Sequence, residues 1–184
     1  MEVSENLTKT KWGIDPSHSE IAFKVKHLMI TNVKGVFKGY EASIYTTGED
    51  FMTAEIDVSL NPASVDTHDA KRDEHLKSAD FFDVENFKQI TFTANTYENV
   101  DGDGSYELYG DLTVKGITKR IKLDVEFGGV VKDPWGGERA AFMLNGKINR
   151  KDWGLNWNTA LEAGGVLVSD EVRISCEIQL VKQA

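Results

Sequence analysis

What this sequence of 184 residues has little of narrows it before any motif is read. It has one cysteine, Cys176, which leaves no intrachain disulfide, so folding needs no oxidising compartment. Proline fills only 3 positions, and with 40% hydrophobic and 28% charged residues this excludes a collagen-like or disordered chain. No run approaches about 18 consecutive apolar residues, so no integral membrane segment is expected. Residues 1–11 read as a polar N-terminal extension without the apolar stretch of a secretory signal. That predicts a cytoplasmic protein, or a periplasmic or secreted one if a leader has been removed. Positive charge is short as well: 21 Lys and Arg against 30 Asp and Glu give a net charge of −9 and a pI near 4.9. Such a surface repels phosphate backbones and anionic membranes, and the basic residues are dispersed along the chain. No nucleic-acid partner is expected, although a local basic patch is compatible with these numbers.

What the sequence does have is period two. In Ile121-Lys122-Leu123-Asp124-Val125-Glu126-Phe127 odd positions are apolar and even ones charged, and 172–180, 54–60 and 21–26 repeat the pattern. Weaker strand candidates lie at 12–14, 33–44, 90–97, 106–114 and 142–148. Turn residues separate several of them, among them Asp101-Gly102-Asp103-Gly104, Lys115-Gly116 and Asp133-Pro134-Trp135-Gly136. Crossover helices and long apolar strands are missing, so the pairing is antiparallel and the class all-β. A chain of 20.5 kDa suits one domain over residues 1–184. Alternation alone leaves a closed barrel and two packed sheets open; Gly35, Gly110 and Gly146 on the inward series favour the bent wall of a barrel.

One interval departs from this pattern. Residues 67–82 read as a short helical excursion, with Asp66 or Thr67 as cap and Leu76, Ala79, Phe81 and Phe82 as apolar anchors. His68, Arg72 and His75 are spaced i, i+4 and i+7, near one helix face. Zinc needs about four directed ligands, which this spacing does not supply, so a polar network anchoring the helix or a head-group contact at the mouth is the reading, and no metal is expected. Cys176 falls between Ile174 and Ile178 as a small hydrophobe, and no nucleophile has a base beside it in sequence, so no catalytic residue is assigned.

Taken in order, these segments resemble the YceI-like family from Trp12 almost to the C-terminus. The resemblance rests on Trp12-Gly13-Ile14-Asp15-Pro16-Ser17-His18, Phe23-Lys24-Val25-Lys26-His27-Leu28, Lys71-Arg72-Asp73-Glu74-His75-Leu76-Lys77-Ser78-Ala79-Asp80-Phe81-Phe82, Gly110-Asp111-Leu112-Thr113-Val114-Lys115-Gly116, Asp133-Pro134-Trp135-Gly136 and Asn149-Arg150-Lys151-Asp152-Trp153-Gly154-Leu155. It implies a lipocalin-like antiparallel β-barrel whose elongated pocket holds a polyisoprenoid or an isoprenoid quinone, with no required cofactor. The chain departs from the family in Asn86-Phe87-Lys88, where a proline is common, and in the missing leader of its many exported members.

A long apolar ligand needs a continuous channel lined by large side chains with few unpaired polar groups. By alternation the inward candidates are Phe23, Val25, Phe37, Ile56, Val58, Phe92, Phe142 and Leu144, joined by Leu76 and Phe81 from the helical interval. Trp153, Leu155 and Trp157 alternate in a segment that suits a ligand wall or a barrel rim. Each could equally be ordinary core. The expected role is sequestration or transport of the lipid. The alternatives are a small-barrel isomerase or hydrolase on a lipophilic substrate and a ligand-free, stress-related interaction protein. A homodimer through an uncovered strand or rim is compatible with all three.

Overall fold

The computed structural model describes residues 8–28, 30–98, 100–158 and 167–183. Among them the alternating segments form β1 (Lys9–Ile14), β2 (Glu20–His27), β3 (Thr31–Phe37), β4 (Tyr40–Thr47), β5 (Asp50–Leu60), β6 (Val65–Asp66), β7 (Ile90–Glu98), β8 (Ser105–Val114), β9 (Ile117–Lys132), β10 (Glu138–Asn149) and β11 (Val168–Lys182). One helix, α1 (Ala70–Lys77), and short 3₁₀ turns at Pro16–His18, Pro62–Ser64 and Arg150–Trp153 complete the described elements.

Every pairing is antiparallel, and the order β1-β4-β5-β7-β8-β9-β10-β11 returns from β11 to β1. Eight strands thus close into a lipocalin-like barrel with one short helical excursion, which removes the two-sheet alternative. The remaining strands extend the same wall. Along β11, Ile14 lies opposite Leu180 and Glu20 opposite Glu177, so β1 and β2 are two halves of one strand bent at Pro16–His18.

Some elements differ from the sequence reading. The stretch expected as one strand over 33–44 divides into β3 and β4, because the Gly39 amide donates to Ser64 Oγ (2.8 Å) and the Lys38 amide to the Ser64 carbonyl (3.3 Å) instead of to a ladder partner. Lys9–Lys11, read as part of the polar extension, pair with Thr47–Tyr45 in β1. Residues 1–7 of that extension lie outside the described residues. The cap of α1 is Asp69, whose Oδ1 accepts from the amides of Lys71 (3.0 Å) and Arg72 (3.1 Å). Thr67 is held instead by Asp73, and Asp66 accepts from the His68 amide, so neither is free to cap. Ala79 is exposed and anchors nothing.

The inward glycines show how so many large side chains fit. A Cβ on Gly35 would stand 2.3 Å from the Phe23 ring, on Gly110 2.6 Å from the Phe92 ring, and on Gly146 2.7 Å from the Leu123 side chain. Each glycine yields its volume to a bulky neighbour across the ladder. The turn at Lys115-Gly116, with φ of 51° and 74°, has the two left-handed residues that match the twist of a two-residue hairpin.

Candidate functional site

The inward faces of the strands enclose a cavity of about 260 Å³. Its lining runs along β5 from Phe51 to Leu60, a strand length of about 30 Å before allowance for tilt. A volume just below the usual range of ligand pockets, spread over that length, is a narrow channel; it suits a linear chain better than a fused-ring compound.

The two ends of the channel are built differently. At one end the Phe51 ring lies 4.9 Å from Trp12, 5.3 Å from Phe127 and 5.0 Å from Phe142, between centroids. Trp12, with no exposed surface, donates its Nε1–H to Thr46 Oγ1 (3.0 Å), so the indole is satisfied inside the plug. At the other end, the segment after β6 and the 150–158 segment supply Phe81, Phe82, Trp153 and Leu155. Trp153 donates to the Leu112 carbonyl (2.9 Å) near the place where the β9–β10 pairing ends, at Asp124 opposite Asn145. Hydrogen-bonded strands frame the first end, and side chains on irregular backbone cover the second.

Ten of the thirteen residues expected to contact a ligand line the channel: Phe23, Phe37, Ile56, Val58, Phe81, Phe92, Phe142, Leu144, Trp153 and Leu155. Val25 does not; it is half-buried, opposite Val172 and Val33. Leu76 packs on the core from α1 without reaching the lining. Trp157 is not part of the lining; it is half-buried, its ring 4.6 Å from His75 and 5.4 Å from Phe81.

His68, Arg72 and His75 do not converge. The helix begins only at Ala70, and His68 precedes it with φ 63° and an 89% exposed side chain. Arg72 is directed back to Thr67, with Nε donating to Oγ1 (2.8 Å) and Nη2 to the carbonyl (2.6 Å). His75 is the member nearest the channel: Nε2 meets Asp80 Oδ2 at 2.9 Å, and its ring lies against Phe81 and Trp157. Arg72 thus ties α1 to the turn before it, and His75 joins α1 to the 150–158 segment through Trp157, while His68 shares in neither contact.

Few groups within the lining can titrate. Burial raises the Tyr97 and Tyr106 phenols above the ordinary tyrosine value, and Tyr97 donates to the Ala54 carbonyl (2.8 Å). Burial also pushes the Cys176 thiol up to about 11, which leaves it a protonated, weakly nucleophilic group. None of the four histidines lines the channel. Among the described residues no cluster of three or more His, Cys, Asp or Glu could hold a metal ion, and no helix is long and apolar enough to cross a membrane.

The residue that sequence reasoning missed is Arg150. It is 3% exposed, and its guanidinium donates to the carbonyls of Ser169 (2.9 Å), Trp157 (2.9 Å) and Leu155. Desolvation lowers its pKa from the usual arginine value, opposed by Asp170 at 4.0 Å. One buried side chain thereby holds the backbone on both sides of the 150–169 segment. Its only sequence signal was its place in Asn149-Arg150-Lys151-Asp152-Trp153. Most of the lining escaped notice for another reason: residues such as Tyr106, Leu108, Leu123, Val125, Ile174 and Ile178 sit on strands whose alternation was plain, but a barrel interior and a packed sheet face alternate alike.

The model of the YceI-like domain matches residues 12–180. A UPF0312 protein of Staphylococcus epidermidis is 39% identical over 172 residues, 92% of this chain and 96% of its own. The crystal structure of a YceI protein from Campylobacter jejuni, 36% identical, superposes with a TM-score of 0.73 over 86% of this chain and 90% of that one. A polyisoprenoid binding domain from Saccharophagus degradans, 14% identical, shares the fold, with a TM-score of 0.65 over 94% of this chain and 98% of its own.

Proposed function

The chain belongs to the YceI-like family, and from that premise we propose that its barrel sequesters or carries a long-chain isoprenoid lipid or isoprenoid quinone without altering its covalent bonds. The observation that carries this reading is the channel itself, long, narrow and apolar along its walls. Burial contributes about 0.8 kcal/mol per CH₂, so several isoprene units supply a gross term on the order of 10 kcal/mol before the costs of ordering the tail. The fold shared with a polyisoprenoid binding domain points the same way. The tail runs toward the Phe51 plug and the head group lies under the cover made by Phe81, Phe82 and Leu155, with His75 the nearest of the three polar candidates. Selectivity in such a channel follows tail length and shape more than head-group chemistry.

A reading as isomerase or hydrolase needs a nucleophile or a proton-transfer pair facing the substrate. Tyr97, Tyr106, Cys176 and Arg150 offer no such pair, since the first three are held in their neutral forms and Arg150 is spent on backbone carbonyls. Native mass spectrometry of protein purified from its own host, with extraction and identification of bound lipid, tests the carrier reading. A stoichiometric prenyl adduct is the expected result. Repeated recovery of ligand-free protein that also refuses quinones and long prenols ends it, and ligands of equal tail but different head groups that differ more than about 100-fold in affinity would remove the selectivity claim.

A further inference from the structure

The outer wall of the barrel gathers basic residues that lie far apart in the sequence. The β2–β3 register sets Lys24 opposite Lys34, the β11–β2 register sets Arg173 opposite Lys24, and the β10–β11 register sets Lys147 opposite Arg173. Four adjacent strands therefore present four cations in one row. Like charges directly opposite each other cost stability, and nearby carboxylates offset only part of this row. Glu171 serves both Lys147 (3.9 Å) and Arg173 (3.8 Å), Lys34 meets Glu20, and Lys24 has no ion-pair partner among the described residues. The row borders a polar groove of about 950 Å³ whose walls carry seven Lys and Arg against three carboxylates, on a chain of net charge −9.

Next to the row, at the helical end of the barrel, the β2–β3 connection exposes Leu28 (41%) and Ile30 (81%). A cationic apron beside exposed aliphatic side chains is the pattern of a protein that rests on a lipid headgroup layer and inserts a short apolar tip. Exposed apolar groups also occur at the opposite end, at Val131 and Trp135, but the register there sets no row of cations beside them: Lys132 lies opposite Glu138, and Lys182 is paired with Glu49 and Glu138. Single-stranded nucleic acid fits the groove less well, because its one aromatic lining residue, Trp153, is 2% exposed and engaged by its Nε1–H to the Leu112 carbonyl, which leaves no open ring face for base stacking.

We propose that the Lys34–Lys24–Arg173–Lys147 face, with Leu28 and Ile30 as its apolar edge, docks the barrel on an anionic lipid bilayer. Docking requires neither the channel nor its contents, so it stands or falls apart from the cargo.

Co-sedimentation with vesicles of phosphatidylcholine, plain or with about 30% phosphatidylglycerol, tests the proposal. The protein is expected to bind the anionic vesicles at low salt, to release them at about 0.5 M salt, and to ignore the neutral ones. The triple substitution Lys24→Gln, Lys147→Gln and Arg173→Gln keeps much of each aliphatic stem and should lower binding about 100-fold while the melting temperature holds or rises. Ile30→Ser should lower it about 10-fold without disturbing the row. The proposal is overturned by no binding to anionic vesicles, by equal binding of the triple variant, or by tighter binding to single-stranded DNA than to vesicles under the same salt.

Discussion

At one end of the barrel Phe51 sits among Trp12, Phe127 and Phe142, inside strands that stay hydrogen-bonded up to their turns. At the other, Phe81 and Phe82 are carried by a segment whose one regular element is the eight-residue α1, and they face a second segment fastened by Arg150. Both ends exclude water with aromatic rings. Only the first does so with backbone that cannot move without breaking the ladder, whereas the second can open by shifting side chains and loops. The carrier function proposed above requires this asymmetry: one end that stops the tail and one that admits it.

Truncation on the two sides separates the ends most sharply. Phe51→Ala should cost about 4 kcal/mol in urea unfolding, because it leaves a hole among rings that ordered strands hold apart. Phe82→Ala, at a half-buried position of the cover, should cost about 2 kcal/mol and speed ligand exchange. Equal losses of stability from the two would mean that both ends are equally rigid.

Arg150→Ala tests whether a single side chain fastens the second segment. It leaves the carbonyls of Ser169, Leu155 and Trp157 without their donor, and an expected loss of about 3 kcal/mol should appear with raised amide hydrogen exchange confined to the 150–169 region. A uniform rise across the barrel would assign Arg150 to global stability instead. His75→Leu should cost only about 1 kcal/mol, since it removes the bond to Asp80 and the edge contacts to Trp157 and Phe81 while no lining side chain is itself truncated. Its visible effect should be faster release of an apolar fluorophore in stopped-flow; an unchanged release rate would show that the cover opens elsewhere.

The smallest expected effect lies on the flank of the sealed end. Asp15 accepts from Arg139 Nη1 (2.6 Å) and Ser17, and it meets His18 Nδ1 (2.9 Å); Arg139 also reaches Asp133 at 3.1 Å. The guanidinium, chiefly, holds the Asp15 carboxyl well below the usual carboxylate range. A carboxyl depressed in the folded state contributes fully above its unfolded value, near 4, and loses that contribution as pH falls toward the folded one. The stability gap between the protein and Asp15→Asn should therefore close as pH falls below about 4. A gap that instead closed on the alkaline side would remove the Asp15–Arg139 pair as its source.

Much of the wall was legible from residue order. Strict alternation in 121–127 and 172–180 located β9 and β11 and which side of each faces inward, and the inward glycines pointed to tight packing within a bent sheet. The helix was legible as an interruption, though its cap was misplaced, because 66–69 offers three candidate cap side chains and only the fold shows that Asp73 and the His68 amide engage the first two. The helical spacing of His68, Arg72 and His75 failed for the same reason: it holds only if all three are in the helix.

Sequence by itself thus determined the antiparallel strands, their inward faces, the lack of a disulfide and the apolar character of the interior. Those are local properties, set by which residue alternates with which. Tertiary structure decided the closure of the ring between β1 and β11, the length of the channel, the plug at one end and the cover at the other, and the alignment of Lys34, Lys24, Arg173 and Lys147 on one outer face. Each of these depends on register between strands distant in the chain, and register is fixed by which side chains fill a shared volume, a property no single segment carries.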